Sequence, residues 1–300
     1  MFGGIPVLYL IFAVLTTLLS QIQGQSCGDL QESQLTNLKE ITEPDEFPWI
    51  GRVGYGESRN SSAKFLCLAV LIKPQYAILP ATCLELDDPL FILFGDWRSN
   101  RNFDEEDCLH DSDSLENCAP PPIAIDIDEL VVHPGYIGLA KREYLENDIA
   151  LAKLVRIVEF SNNVAPLCLP TINEDKNSHI AQKLEMVGFL HWTKISSNLR
   201  PEEEFRSKVE VNTISQEYCS SLQFRLTLNE NHLCATAARE KQQFFGSPLM
   251  GVEVVNEKPH NFFLVGLPTF SIVPGSRKDT VLFVFTRVFP YIGWILRNIN

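Results

Sequence analysis

From Phe47 onward the chain breaks into short apolar runs, each closed by turn residues. Phe65–Ile72, Tyr76–Leu79, Phe91–Phe94, Ile123–Val132 and Ile149–Leu154 read as one series of strands. Lys183–Phe189, Phe205–Val211, Phe262–Thr269 and Leu282–Arg287 read as a second. Many short strands with turn signals between them predict a barrel or a sandwich. In the Phe205 run, Phe205, Val209 and Val211 alternate with Arg206, Lys208 and Glu210. That period of two is expected of a strand with one face in water. Helix is predicted at the C-terminus, where Pro290 suits a first turn and Ile292, Ile295, Leu296 and Ile299 share a face. A second short helix fits Ser215 to Leu222. Residues 25–45 are polar and read as mostly structureless apart from Cys27, and no internal repeat is visible.

Three hundred residues allow one large β domain or two smaller ones. The net charge is -13, and residues 1–24 carry none of it. A nucleic-acid partner needs clustered Lys and Arg, which such a chain lacks. The acidity reads as solubility. Ile5 to Leu19 is an apolar run followed by polar residues and Gly24, the pattern of a secretory signal peptide over residues 1–24. A signal anchor is the alternative, although the run is short against the roughly 20 residues of a span. After cleavage no membrane partner is expected.

All eight cysteines follow Gly24. An even count behind a secretory signal predicts disulfides. None of the cysteines has C-x-x-C spacing, so no metal site or redox motif is expected. Asn60-Ser61-Ser62 is a glycosylation sequon in a polar stretch, placing Asn60 as the modified residue. Between Cys108 and Cys118 and just before them runs an acidic segment, Asp104 to Glu116, with Glu105, Glu106, Asp107, Asp111 and Asp113. Its oxygens suit calcium, but the spacing matches no EF-hand and the plainer reading is a solvated loop without cofactor.

Several spaced motifs resemble the trypsin-like serine proteases. Phe47-Pro48-Trp49 is similar to the segment after that family's mature N-terminus. Cys67 to Ile72 followed by Ala81-Thr82-Cys83 resembles Cys-Gly-Gly-Ser-Leu-Ile and Ala-Ala-His-Cys, and Asn147 to Leu151 matches the aspartate motif. Pro166 to Pro170, Gly246-Ser247-Pro248-Leu249 and Thr286-Arg287-Val288 leading to Trp294 complete the set. The match covers about residues 40–300. The Cys108–Cys118 segment with Ala119-Pro120-Pro121-Pro122 and His133-Pro134-Gly135-Tyr136 resembles arthropod extracellular cascade proteases, and no clip domain is expected ahead of it. The resemblance implies two six-stranded Greek-key barrels of the chymotrypsin type, roughly 46–160 and 161–300, with a C-terminal helix, and an N-terminal segment, 25–45, tethered by Cys27. It also implies the pairs Cys67–Cys83, Cys108–Cys118, Cys219–Cys234 and Cys27–Cys168. Eight cysteines alone would allow on the order of a hundred pairings. The family's pair flanking the nucleophile loop is absent, with Lys241 in place of its first cysteine.

Aligned this way, two of the family's three catalytic groups are missing. A serine triad needs a hydroxyl nucleophile, an imidazole base and an orienting carboxylate. Asp148 is kept, Thr82 stands at the histidine position and Phe245 at the serine. Losing such groups costs turnover by ~10⁴ to 10⁶. Gln243 stands at the oxyanion-hole glycine, Phe244 at the aspartate that receives the new N-terminus, and Arg239 at the pocket floor. The activation site would fall near Leu35-Thr36, without a basic residue before it. Thr269-Phe270-Ser271 replaces the substrate-pairing Ser-Trp-Gly, and Phe283 replaces a back-wall glycine. Phe244, Phe245 and Phe283 are expected to fill the old cleft; left open, they would make an apolar patch. Ser247 is the candidate for a displaced nucleophile in a rearranged endopeptidase. The expectation is a secreted, extracellular protease homologue without peptidase activity. It would bind proteases, zymogens or inhibitors as cofactor, decoy or scaffold in a cascade of immunity, melanisation or reproductive fluid. Recognition of a microbial surface or matrix is the alternative.

Overall fold

The fold is that of a computed structural model, which describes residues 26–56, 63–99, 104–110, 116–138, 146–189, 204–222, 227–238, 246–275 and 278–299. The expected signal peptide and Asn60 lie outside these residues. The first barrel is built from β1 (Ile50–Tyr55), β2 (Lys64–Lys73), β3 (Tyr76–Leu79), β4 (Pro89–Phe94), β7 (Ile123–Val132) and β8 (Ala150–Leu154). Between β4 and β7 a separate hairpin pairs β5 (Asp107–His110) with β6 (Glu116–Ala119). The second barrel holds β9 (Lys183–Gly188), β10 (Ser207–Ile214), β11 (His232–Ala238), β12 (Leu249–Val255), β13 (Lys258–Ile272) and β14 (Thr280–Arg287).

Both barrels close, in the orders β1-β2-β3-β8-β7-β4 and β9-β10-β11-β14-β13-β12. Strand for strand, these are the same antiparallel path, two six-stranded barrels of the chymotrypsin type. Closure is uneven. β1 and β4 pair over five residues of β1, whereas β9 and β12 meet only at Leu249↔Met186 and Met250↔Glu185.

The core runs between the barrels as well as through them. Phe47, Trp49, Met250 and Phe262 are all buried in one cluster with the β2 and β8 side chains. The rings of Phe47, Trp49 and Phe262 meet one another at centroid distances of 5.4–5.8 Å. Phe47 meets both other rings edge-on, and such pairs add about 0.5–1.5 kcal/mol each beyond the area they bury. Phe47 takes φ 59 to reach this position.

Cys67–Cys83 ties β2 to the short 3-10 turn Ala81–Glu85, and Cys108–Cys118 crosses the β5–β6 hairpin. Cys219–Cys234 joins the helix Gln216–Leu222 to β11. Cys27–Cys168 spans 141 residues and brings the N-terminal segment to β13, where Cys168 bridges Phe263. All eight cysteines are thereby paired.

Four sequence expectations change here. Residues 26–46 are not structureless: Glu32–Thr36 is a 3-10 turn, Asp29 bridges Asn261, and Ile41 bridges Ser207. That strap covers the start of β10, so Arg206 and Lys208 do not face water, whereas Glu210 is exposed between buried Val209 and Val211 as the alternation predicts. Arg206 is 0% exposed and donates to the Thr42 hydroxyl and the Pro44 carbonyl, while Lys208 pairs with Glu46 at 2.8 Å. In the C-terminal helix Ile292–Asn298, Ile295 and the following Ile299 are buried, but Leu296 is exposed. The acidic segment is also not a plain solvated loop. Asp107 is buried and accepts the amides of Trp97 and Arg98 at 3.1 and 2.9 Å. Asp111 and Asp113 lie outside the described residues.

A buried ion pair joins β1 to the turn after β4: Arg52 donates to Asp96 at 2.6 Å. The guanidinium is held between the rings of Phe65 and Phe189, 4.0 and 5.0 Å from their centroids. Burial holds the Asp96 carboxyl up at about 6 even against the pull of Arg52.

Candidate functional site

The aspartate motif sits on the turn entering β8. Asn147 adopts φ 59, a left-handed conformation that asparagine tolerates better than most residues. Its side chain is fixed on both sides, donating to the Gly135 carbonyl at 2.9 Å and accepting from the Tyr291 hydroxyl at 3.2 Å. This turn sends Asp148 inward, where it is 1% exposed.

The two other groups arrive from distant elements. Thr82 lies on the 3-10 turn locked by Cys67–Cys83, and Thr269 lies on β13. The Thr82 amide donates to Asp148 Oδ1 at 2.7 Å, and the hydroxyls of Thr82 and Thr269 both donate to Oδ2. A carboxylate left without donors at this depth would be costly, and here both oxygens are satisfied. Burial raises the Asp148 carboxyl above its usual range, and the donated bonds of Thr269 and Thr82 pull back against that.

None of the four histidines with described side chains bonds to Asp148. His133 lies edge-on to Tyr291 and Trp294 and accepts the Gly135 amide. His179 pairs with Glu174, His232 accepts the Asn229 amide, and His260 meets Asn261. His110's side chain and His191 are outside the described set.

The loop that organises the sequence resemblance is described from Gly246 on; Arg239, Gln243, Phe244 and Phe245 fall outside it. Gly246 has φ +87, and a Cβ there would stand 1.9 Å from the Leu68 carbonyl oxygen of β2. Ser247 is 0% exposed, with its hydroxyl facing Gly188 of β9. Of the expected pocket residues, Phe270 packs beside Cys219–Cys234, and Ser271 is half-buried after it on β13. Phe283 is buried in the cluster of the second barrel, 5.9 Å from Phe285. It forms packing, not an exposed patch.

The trypsin family model matches residues 39–295. The chain belongs to the trypsin family. Phenoloxidase-activating factor 1 of Holotrichia diomphalia is 30% identical over 292 residues, covering 93% of this chain and 74% of that one. CLIP domain-containing serine protease B4 of Anopheles gambiae is 28% identical over 268 residues, 86% of this chain and 68% of its own. The solved Drosophila Grass clip serine protease of the Toll pathway superposes with a TM-score of 0.72 at 23% identity, over 91% of this chain and 74% of that one, a likeness of fold. In this trypsin-family chain Thr82 and Asp148, both singled out by the sequence resemblance, are hydrogen-bonded to each other. It assigns Thr269 to substrate pairing and misses its bond to Asp148. The signal for that bond is slight, a hydroxyl residue heading the strand motif.

A pH dependence follows. Asp96 is raised to about 6, Glu185 on β9 to about 7, and Asp148 is raised as well, burial being the first cause each time. A raised acid stabilises the fold below its unfolded pKa and loses that contribution as pH climbs through the folded value. Burial lowers His133, which acts the other way as pH falls through about 6.5. With Asp96 and Glu185 titrating near this interval against one histidine, the melting temperature is expected to fall from pH 5.5 to pH 8. A rise over that interval, measured by scanning calorimetry, would contradict the burial of these acids.

Proposed function

We propose that this trypsin-family protein has left peptidase chemistry and acts outside the cell by binding proteins, as cofactor, decoy or scaffold in a proteolytic cascade. The observation that carries the reading is the Asp148 carboxylate, whose oxygens are taken by Thr82 and Thr269 where a triad would present an imidazole. A threonine hydroxyl cannot take a proton from a nucleophile near neutral pH. By alignment Phe245 brings no heteroatom to the nucleophile position. Burial of Ser247 also argues against a displaced nucleophile. The relatives' names, a phenoloxidase-activating factor and CLIP-domain proteases, support a cascade as the setting. The apolar N-terminus and the paired cysteines support an extracellular one.

The processed protein is expected to leave peptide amide substrates intact, at least ~10⁴-fold below a complete triad. It should also remain unlabelled by a fluorophosphonate. Labelling at Ser247 would overturn the reading. Affinity capture from the source's extracellular fluid should then enrich a protease, its zymogen or an inhibitor. Enrichment of glycans or matrix proteins without any protease would move the function to surface recognition.

A further inference from the structure

Residues 34–40 lie across the outer side of the second barrel, over the seam where β9 and β12 part. The gap beneath them is a groove of about 550 Å³. Leu35 and Leu38 form its rim, 45% and 95% exposed, half-buried Val252 lines the wall, and the buried Met250 and Phe262 lie at its floor.

Glu185 opens into this groove with an unusual charge environment. In register it stands opposite Glu210 on β10 and Met250 on β12. Like charges directly opposite destabilise a sheet. The lysines of the groove are each paired with another acid. Lys183 is engaged with Glu210 at 2.8 Å, Lys208 with Glu46 at 2.8 Å, and Lys39 with Glu43 at 3.0 Å. Glu40 adds a further acid to the same lining. Among the described residues the Glu185 carboxyl makes no hydrogen bond or ion pair. Burial pushes its carboxyl up to about 7, with Lys208 opposing and Glu46 and Glu210 reinforcing.

A groove of mixed lining, in which one carboxylate has no direct hydrogen-bond or ion-pair partner, suits a cation on an apolar stem, the form of a Lys or Arg side chain. Exposed leucines beside it suit the surface of a protein around that side chain. We propose that this groove receives a lysine or arginine side chain of a partner protein, its stem along Val252 over the floor of Met250 and Phe262 and its cation on Glu185. The site is separate from the Asp148 centre and stands whether or not that centre cuts peptides.

The test is methyl NMR of Met250 in the folded protein, titrated with an acetylated, amidated Leu-Arg-Leu peptide, its Lys counterpart, and n-butylguanidine. Saturable shifts are expected for both peptides at pH 8, with affinity about tenfold weaker in Glu185→Gln. Affinity should also weaken at pH 5, where Glu185 takes up a proton. Glu185→Lys should abolish the shift by supplying a cation from within. Leu38→Ser should weaken the peptides and spare n-butylguanidine. Absence of a saturable shift, or equal affinity in Glu185→Gln, overturns the site. Binding of n-butylguanidine as tight as the peptides would assign the groove to a free small cation and overturn the protein partner.

Discussion

Asp96→Ala is expected to lower stability by about 3–5 kcal/mol, the cost of leaving a buried charge without its partner. The partner is Arg52, whose side chain is 6% exposed and fixed between Phe65 and Phe189. It cannot swing out to water without opening the seam of β1 and the turn after β4. The pair itself is a weaker source of stability than this loss suggests, because both ions were desolvated to form it. The double variant Arg52→Met with Asp96→Leu should therefore recover most of the loss. Urea unfolding at pH 7 checks both. A single-variant cost under about 1 kcal/mol, the range of exposed pairs, would mean that Arg52 reaches solvent.

Gly246→Ala should be nearly as severe, by a steric route. An L side chain at φ +87 costs about 1–2 kcal/mol, and overpacking adds about 1–3 kcal/mol. The collision is with the Leu68 carbonyl oxygen, a backbone atom of a core strand, so no side chain can give way. A loss near 3 kcal/mol is expected, with Ser247 lifted out of its burial and the segment made sensitive to limited proteolysis. Wild-type stability in this variant would show that the loop does not rest on β2. The glycine is thus explained by packing, with no need of catalysis.

The barrels were largely legible in the sequence, since Tyr76–Leu79 and Ile123–Val132 appear with the expected bounds. β1, β11 and β12 were not. Ile50–Tyr55 contains two glycines and an arginine yet is buried throughout, so no alternation marks it. His232–Ala238 is built of small residues, and Leu249–Val255 hides behind the loop motif. The duplicated strand path leaves no repeat in sequence because only the pairing order is shared. Arg206 and Lys208 looked solvated because their acceptors lie 162–164 residues away, on a strap with no pattern of its own. At the Asp148 centre the family motifs located Thr82, whereas the hydroxyl of Thr269 is 121 residues distant and only folding reveals its acceptor.

The Cys27–Cys168 bond makes the entire first barrel a covalent ring, with Cys67–Cys83 and Cys108–Cys118 as smaller rings inside it. A nick at any single peptide bond between residues 27 and 168 therefore yields a two-chain molecule, not two fragments. Cleavage beside Lys39 is one case: the piece carrying Leu35 and Leu38 would stay attached over its groove. Among trypsin-like proteases the protein can be cut without being dismantled, and such a form would part only under reducing conditions.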